Sequence, residues 1–213
     1  MGDRELDALR ERGRAVSFEP GERLLLEGEP GDKVLLVLRG RVKVSHATSD
    51  GRETVLDFRG PGELVGELSA LDQAPRSSSV TAIEAVEALV VSAADFRSLL
   101  ERPGFAGELL QMLSARFRDA DRKRVEFGAS DTVGRVAARL VELAERYGQP
   151  GGSGIVIALP ISQEELAGWT AASRAGMANA LRTLRELGWI ETERRRITVR
   201  DLEALRERAS VQN

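Results

Sequence analysis

The chain has 213 residues, of which 42% are apolar and 31% charged, and its net charge is −3. This suits one large or two modest domains with cores of their own. With no cysteine and one histidine, His46 on a predicted surface strand, the composition excludes a disulfide framework, a thiol nucleophile and an iron–sulfur cluster, and argues against a histidine-built metal or triad site. A charged N-terminus, and no apolar run near the roughly 18 residues that a spanning helix needs, predict a cytoplasmic protein without a membrane partner.

Short apolar runs separated by glycines dominate the chain from Val16 onward, after a first helix predicted at 3–12. They recur roughly every ten residues, which is typical of an antiparallel barrel or sandwich. Asp50-Gly51 predicts a type I′ hairpin turn, because both central positions of that turn need positive φ. Ser92 predicts the N-cap of a helix. The predicted strands lie at 24–26, 34–38, 42–44, 54–58, 80–82 and 85–91.

The stretch 61–81, PGELVGELSALDQAPRSSSVT, has an unusual combination of polar groups for a connection in a β-rich region. It offers backbone N–H groups around Gly66, the carboxylate of Glu67, the guanidinium of Arg76 and several serine hydroxyls. A small anionic ligand that carries a ribose would use all of them, since guanidinium binds phosphate through two parallel bonds and a buried carboxylate accepts from a ribose hydroxyl. The stretch therefore predicts a cyclic-nucleotide phosphate pocket. The alternative is an internal ion pair between Glu67 and Arg76.

A long amphipathic helix is predicted from 105 to 126. Its apolar stripe is narrow and about six turns long, which favours packing against a second copy of the chain in a homodimer. The alternative is a helix that lies on the barrel of its own chain. The stripe consists of Leu109, Leu113, Phe117 and Ala120, with Ala106, Leu110 and Met112 beside it. The predicted domains are 1–104, which holds the short strands, 105–128 for the dimerisation helix and 129–213 for the region that follows it.

The region that follows the long helix begins with a break at 128–131, which is the predicted hinge. A further amphipathic helix is predicted at 133–147, and the stretch QPGGSG at 149–154 predicts a flexible loop. From residue 129 onward the chain holds 12 arginines against 11 acidic residues and no lysine. Arginines concentrated on particular elements suit specific rather than indiscriminate nucleic-acid binding.

The last part of the chain has the pattern of a winged helix-turn-helix. Ser162 and Glu165 form a predicted capping box at the start of the first short helix. Ser173 caps the predicted second helix, 174–187, with a charged tip at 192–196 between two short strands. We expect the arginines of this tip to lie along DNA phosphates. The predicted buried face of the second helix carries Met177, Ala180, Leu181 and Leu184.

Taken in order, these elements resemble the cyclic-AMP receptor (catabolite activator) branch of the Crp/Fnr transcription regulators. The implied fold is α+β, with an N-terminal antiparallel, jelly-roll-like β-roll that binds cyclic nucleotides, a long dimerisation helix and a C-terminal winged helix-turn-helix. The resemblance covers nearly the whole chain and is carried by FEPGERLLLEGEPGD at 18–32, GELSALDQAPRSSS at 66–79, DTVGRVAARLVELAERYG at 131–148 and SQEELAGWTAASRAGMANALRTLRELGWIE at 162–191.

The function that the resemblance implies is a DNA-binding transcription regulator, not an enzyme. Its dimer is switched by a cyclic nucleotide, with cyclic AMP (cAMP) as an allosteric effector rather than a catalytic cofactor, and no metal is implied. The implied partners are a palindromic double-stranded DNA site, the cyclic nucleotide, a second copy of the chain and RNA polymerase.

For the pocket, the resemblance implies that Glu67 accepts from the ribose 2′-hydroxyl and that Arg76 pairs with the cyclic phosphate. The positions that supply a hydroxyl or amide pair to adenine correspond to Ala120 and Asp121. Ala120 offers no hydrogen bond, while Asp121 is able to accept from the adenine amino group. Ser77 favours cAMP over cyclic GMP (cGMP). The expected ligand-binding residues are Gly66, Glu67, Leu68, Ser69, Arg76, Ser77 and Asp121.

For DNA, the resemblance implies that Arg174 opens the recognition helix and grips a guanine bidentately. Where the receptor has a glutamate and a second arginine, this chain has Ala175 and Asn179, which suit a thymine methyl group and an adenine, so we expect a different half-site. Ala171 stands where a turn glycine is usual, and Gly176 lies inside the helix. The expected DNA-binding residues are Ser162, Gln163, Ser173, Arg174, Ala175, Asn179, Arg182, Arg194 and Arg195.

Two alternatives remain open. One is a regulator of the same architecture that binds DNA without a nucleotide or answers another effector, which the departures at Ala120, Ala171 and Gly176 favour. The other is an enzyme that acts on nucleotides, for which the sequence offers no recognisable general base, nucleophile or metal cluster.

Overall fold

The computed structural model describes residues 2–48, 53–158, 161–193 and 196–210. The chain divides into two compact units, Met1–Asp119 and Ala120–Asn213. The finer division into 1–104, 105–128 and 129–213 stays a prediction. Within the described residues, no helix has both the length and the apolar character that crossing a membrane requires.

Strands form most of the first unit. They make two four-stranded antiparallel sheets, which confirms the predicted antiparallel β-roll. In chain order the elements are α1 (Asp3–Arg10), β1 (Arg14–Phe18), β2 (Arg23–Leu25), β3 (Lys33–Arg39), β4 (Val42–Ala47), β5 (Glu53–Arg59), β6 (Leu64–Val65), α2 (Glu67–Asp72), β7 (Ser79–Ala82), β8 (Val86–Ser92), α3 (Ala93–Leu99) and α4 (Pro103–Ala129).

The strand order is β1-β8-β3-β6 in one sheet and β2-β7-β4-β5 in the other. Strands β4 and β5 pair from Val42↔Arg59 to Ala47↔Glu53, and the predicted turn between them, Asp50-Gly51, lies outside the described residues. The N-cap predicted at Ser92 is confirmed, since its side chain accepts from the backbone N–H of Asp95.

Strand β3 is buried on both faces and joins two cores. Leu35 and Val37 lie in a core with residues of both sheets, while Val34 and Leu36 pack against a layer of helices. This alternation follows from the two-residue period of a strand, which sends successive side chains to opposite faces. The helical layer includes Phe96 of α3, whose ring meets that of Phe105 of α4 edge-on, with centroids 5.6 Å apart.

The apolar stripe of α4 divides between two faces. Leu109 is 3% exposed and packs into the helical layer of the first unit. It therefore belongs to the core of its own chain and not to a seam with a second copy. Leu110 and Phe117 are 66% and 68% exposed, and Val125, farther along the helix, is exposed as well. Leu110 and Phe117 belong to the predicted stripe and its edge, whereas Val125 lies outside it, and all three side chains are exposed.

The second unit combines helices with a third antiparallel sheet, of strand order β11-β12-β10-β9. Its core includes the four residues predicted for the buried face of the second helix, which are all buried. After the end of α4, its elements are α5 (Thr132–Tyr147), β9 (Gln149–Gly151), β10 (Gly154–Ile157), α6 (Gln163–Trp169), α7 (Arg174–Glu186), β11 (Ile190–Glu193), β12 (Arg196–Val199) and α8 (Leu202–Ser210).

The glycine-rich stretch 149–154 was predicted as a flexible loop, and this is wrong. Its ends pair as β9 and β10, with Gly151 opposite Gly154. Gly154 has φ +145, and a Cβ at this position would run into the carbonyl of Val199. These glycines therefore serve a close backbone approach within a sheet rather than flexibility.

Candidate functional site

The predicted phosphate cradle is built at the junction of β6 and α2. The chain leaves β6 through Gly66, whose φ of +82 makes it the left-handed N-cap of α2. A Cβ at Gly66 would lie 2.8 Å from Nη1 of Arg76 and 3.2 Å from the carbonyl oxygen of Lys33. Only glycine satisfies both the left-handed backbone and this close approach. The first backbone N–H groups of α2, like those of any helix start, have no partner within the helix.

Arg76 is buried in the first unit, with 4% of its surface exposed. Its Nη2 donates to Oδ1 of Asp32 and to the carbonyl oxygen of Lys33, both at 3.0 Å. Its Nη1 is buried and, among the described residues, has no hydrogen-bond partner. Buried polar groups are almost always hydrogen-bonded, because leaving one unsatisfied is costly. The arrangement therefore holds a guanidinium in place and leaves one of its donor groups without an acceptor among the described residues.

Glu67 is also buried, but it is already paired. Its Oε1 accepts from Nη1 of Arg116 on α4 at 2.6 Å, and Nη2 of Arg116 donates to the carbonyl oxygen of Leu64 at 2.8 Å. Burial lowers the pKa of Arg116 from its usual value, and the charge of Glu67 opposes this shift. Within the described part of the chain, Glu67 and Arg76 each pair with a different residue, so the alternative of an ion pair between them is wrong.

Arg116 is a pocket residue that sequence reasoning missed. A buried Glu67 carboxylate signals the need for a cation. Several arginines on the long helix meet that need equally well by type, and the sequence alone does not select one of them.

The other predicted pocket residues surround this centre in different ways. Leu68 is exposed, while Ser69 is buried, and a Cβ at Gly31 would collide with it. Ser77 is exposed beside Arg76. Asp121 belongs to the second unit, where it is exposed, and its role toward a base stays a prediction, as do the ligand roles of the other six residues.

A cavity of about 610 Å3 opens beside Glu67. Sites for small ligands typically have volumes of roughly 300–1,000 Å3, so this one has room for a nucleotide. Arg76 is not part of its lining. The wall combines apolar side chains with two arginines and a hydroxyl and consists of Glu67, Leu68, Leu113, Ser114, Arg116, Phe117 and Arg118.

In the second unit, α6 and α7 form the predicted helix-turn-helix with its predicted caps. Ser162 and Glu165 make the reciprocal capping box of α6. The side chain of Ser173 accepts from the backbone N–H of Gly176 at 3.0 Å and caps α7. Ala171, in the turn between the helices, has φ +45, which agrees with the expectation of a residue that stands in place of a glycine.

The solvent face of the recognition helix α7 carries the predicted base-reading residues. The side chain of Arg174 is 82% exposed, and its Nη2 lies 2.5 Å from Oε1 of Glu164. The hydrogen bond that Arg174 donates to Glu164 raises the pKa of Arg174 above its usual value. Oδ1 of Asn179 accepts from Nη2 of Arg182 at 2.7 Å. All the predicted DNA-binding residues within the described ranges are exposed, namely Ser162, Gln163, Ser173, Arg174, Ala175, Asn179 and Arg182.

The predicted wing is the hairpin of β11 and β12, which pair from Ile190↔Val199 to Glu193↔Arg196. Its predicted phosphate contacts, Arg194 and Arg195, lie outside the described residues. The DNA roles of all these residues stay predictions.

Comparison with known proteins matches both units. Residues 15–103 match the cyclic nucleotide-binding domain and residues 134–208 the Crp-like helix-turn-helix domain. A CRP-like cAMP-activated global transcriptional regulator of Mycobacterium tuberculosis is 36% identical over 203 residues, which cover 95% of this chain and 91% of that protein. The cyclic AMP receptor protein of Thermus thermophilus is 31% identical over 191 residues, covering 89% of this chain and 85% of that protein.

A solved structure agrees with these relatives. A CRP/FNR-family transcriptional regulator from Thermus thermophilus superimposes with a TM-score of 0.81 at 25% identity, over 94% of this chain and 100% of that one. The chain therefore belongs to the CRP/FNR family of transcription regulators, with a cyclic nucleotide-binding domain followed by a Crp-like helix-turn-helix domain.

Proposed function

We propose that cAMP is the effector that controls DNA binding by this regulator. The observation that carries the proposal is the buried guanidinium of Arg76, with Nη1 unpartnered among the described residues next to Gly66. A cyclic phosphate supplies the missing acceptor and a compensating charge. Each charge-assisted hydrogen bond of this kind contributes about 1.5–3 kcal/mol. The names of the two relatives, a cAMP-activated regulator and a cyclic AMP receptor protein, favour cAMP over other cyclic nucleotides.

The remaining groups of the pocket complete a nucleotide site. Ser77 and the backbone N–H groups of Leu68 and Ser69 hold the phosphate together with Arg76. Glu67 accepts from the ribose 2′-hydroxyl through Oε2, since Arg116 occupies its Oε1. The base lies in the cavity beside Phe117.

The active form is a homodimer held together along α4 by Leu110, Phe117 and Val125, all of which are exposed in the single chain. A two-fold dimer presents two recognition helices to a palindromic site, at a separation of about 34 Å, one turn of DNA. The effector promotes DNA binding only through tighter binding to the DNA-competent conformation than to the other. RNA polymerase is the partner through which the bound dimer acts on transcription.

Titration calorimetry with cAMP and cGMP, together with gel shifts on DNA recovered by selection from random sequence, tests this proposal. We expect cAMP to bind more tightly and to stimulate DNA binding. Arg76→Leu should weaken cAMP binding by at least about 100-fold, the equivalent of two lost charge-assisted bonds. Arg76→Lys keeps the charge, so its cAMP affinity should lie between those of the wild type and Arg76→Leu. Arg39→Leu, at a surface arginine, should bind cAMP as the wild type does. Unchanged stimulation in Arg76→Leu, with its fold verified by circular dichroism, contradicts the assigned pocket.

A second candidate is a regulator of the same fold that binds DNA without a nucleotide or senses another effector. It is favoured by the internal pairing of Glu67 with Arg116, which satisfies part of the pocket without a ligand. Calorimetry without heat for either nucleotide, combined with sequence-specific DNA binding, would select it. We expect no turnover of cAMP on prolonged incubation, since the relatives are named as regulators. Product formation would point to an enzyme instead.

A further inference from the structure

Glu164 places a negative charge beside Arg174, at the N-terminal end of the recognition helix α7. Glu164 is the second residue of α6 and Arg174 the first of α7. Their side chains are 69% and 82% exposed and meet at 2.5 Å, Oε1 to Nη2. The capping box that stabilises the start of α6 uses Glu165, so Glu164 is not needed for that cap.

This pairing distinguishes Arg174 from the other arginines of α7. Arg182 donates to the side-chain oxygen of Asn179 at 2.7 Å, and Arg185 donates to the hydroxyl of Thr192 at 3.0 Å. Both of these acceptors are neutral. Of the α7 arginines that the structure describes, Arg174 is the one whose side chain is paired with a carboxylate. It is also the residue that we assign to guanine.

An exposed carboxylate at this place affects two kinds of DNA differently. Ser162 and Gln163, the neighbours of Glu164, are among the expected DNA-binding residues, and we assign them to phosphates, so Glu164 approaches the phosphate backbone whatever the sequence. Arg174 cannot neutralise a phosphate while it is paired with Glu164. At the correct site, guanine O6 and N7 offer Arg174 two acceptors in the fixed geometry of its fork. Only this partner replaces the carboxylate with two directed bonds.

We propose that Glu164 is a specificity-determining residue, which holds Arg174 away from phosphates and so weakens binding to non-specific DNA more than binding to the correct site. Specificity is a difference between two affinities, and a repulsive group that acts on the wrong partner increases it. The inference rests on the proposed DNA-reading role of α7. Arg174 contributes a direct contact to the base, whereas Glu164 contributes by preventing contacts of Arg174 with phosphates.

The test compares the wild type with Glu164→Gln, which keeps the shape of the side chain and removes its charge. Glu203→Gln is the matched control, because Glu203 is a 75% exposed acid of the same unit that pairs with Arg206 of its own helix. Fluorescence anisotropy gives the Kd of each protein, with cAMP present, for the DNA site selected by the wild type and for a scrambled duplex of equal length. The measurements are repeated at several salt concentrations.

In Glu164→Gln we expect the Kd for the scrambled duplex to fall about threefold, within the range of an exposed ion pair, and the Kd for the selected site to stay within about 1.5-fold. Arg174 then becomes available to one more phosphate, so log K for the scrambled duplex should fall more steeply with log salt, by about 0.9. Glu203→Gln should leave the ratio of the two Kd values and the salt slope unchanged. Glu164→Lys should lower the ratio of the Kd for the scrambled duplex to the Kd for the selected site further than Glu164→Gln does.

Equal tightening on both duplexes, or no change on either, overturns the inference, because Glu164 would then act as a general charge or not at all. Weaker binding at the selected site alone also overturns it, since Glu164 would then be a direct contact to DNA. In each of these outcomes the wild type still distinguishes the selected site from the scrambled duplex, so the proposed function stands. A wild type that does not distinguish the selected from the scrambled duplex contradicts the proposed function and the inference together.

Discussion

The two arginines at the centre of the proposed function, Arg76 and Arg174, lie in opposite environments. Arg76 is 4% exposed and is held by Asp32 and by a backbone carbonyl, with one nitrogen unpartnered among the described residues. Arg174 is 82% exposed and is paired with Glu164. Coulomb interactions are several times stronger at a buried position than in water, and salt screens exposed charges first. We therefore expect one buried contact to decide whether the proposed pocket binds its ligand, and many contacts to share the binding at the proposed DNA surface.

The same contrast appears in how the two sites are positioned. The pocket is held by a left-handed glycine, by a buried ion pair and by backbone carbonyls. The DNA surface is positioned by helix caps at Ser162 and Ser173 and by packing beneath α7, while its reading side chains extend into solvent. We therefore expect single substitutions to have large effects in the pocket and small ones at the DNA surface.

The largest effect is expected at Gly66. In Gly66→Ala, the new Cβ lies 2.8 Å from Nη1 of Arg76 and displaces the group that we assign to the phosphate, so cAMP affinity should fall by about 100-fold, as for two lost charge-assisted bonds. Gly62→Ala is the matched control, because Gly62 has φ +83 and no atom within 4 Å of its added Cβ. Calorimetry measures the loss of cAMP affinity, and thermal melts measure the loss of stability.

Both alanine variants should lose similar stability, about 1–2 kcal/mol for a left-handed alanine. Only Gly66→Ala should lose the ligand. Equal loss of cAMP affinity in both variants would mean that backbone strain, and not crowding of Arg76, is responsible.

The next effect is expected at the buried ion pair. Arg116→Met leaves the Glu67 carboxylate buried without its partner, which should lower the free energy of unfolding by about 2 kcal/mol. Adding Glu67→Gln should recover part of this loss, because a neutral amide is cheaper to bury than a carboxylate. Denaturant melts of the single and double variants measure the recovery.

The exposed pair provides the comparison. Arg174→Met removes the partner of Glu164 in the same way, and its unfolding midpoint should equal that of the wild type, because water solvates the carboxylate that remains. A similar shift of the midpoint in Arg116→Met and Arg174→Met would show that burial does not separate the two sites.

What the sequence predicts well in this chain is local. The caps at Ser92, Ser162 and Ser173 and the strand spacing of the β-roll are all observed, because each depends on residues a few positions apart. The partners of the buried charges were not predicted. Arg116 lies 49 residues from Glu67, and nothing in the spacing of either residue encodes that contact.

Periodicity also leaves open what an apolar face contacts. It marked Leu109 and Phe117 as one stripe, although Leu109 is buried in its own unit and Phe117 is exposed. The reason is geometric, since a helix that packs on a sheet and presents a second face to solvent shows apolar residues on both. The prediction of a flexible loop at 149–154 is wrong for a related reason. Glycine marks a close approach in a sheet as readily as a flexible segment.

A small stabilising effect is expected in the turn of the helix-turn-helix. Ala171 has φ +45, a conformation that costs an alanine about 1–2 kcal/mol but costs a glycine little. The greater entropy of glycine in the unfolded chain offsets about 0.4–1 kcal/mol of this. Ala171→Gly should therefore stabilise the second unit by about 0.5 kcal/mol and raise its Tm by about 3 °C. Ala172→Gly, where φ is not positive, should lower it. Stabilisation by both would contradict strain at Ala171.

A comparably small effect is expected at the start of α5. Burial acts to raise the pKa of Asp131, but hydrogen bonds from the Gly134 backbone and from Arg208 outweigh it, so the pKa lies below its usual value. A lowered folded-state pKa stabilises the protein above the ordinary carboxyl pKa of about 4, and this contribution is lost as the pH falls through the folded-state value.

Asp131→Asn keeps the cap, because asparagine caps helices as well as aspartate does, and loses only the charge toward Arg208. At pH 7 we expect a deficit of about 0.5 kcal/mol, typical of an exposed pair, measured by denaturant melts at low salt. The deficit should close below about pH 4 and in high salt, because protonation neutralises Asp131 in the wild type and salt screens its attraction to Arg208. Arg208→Gln should show the same pH dependence, since it removes the other half of the pair. A deficit that persists at low pH would assign the loss to the cap itself, and the contribution of this exposed carboxylate would then be geometric rather than electrostatic.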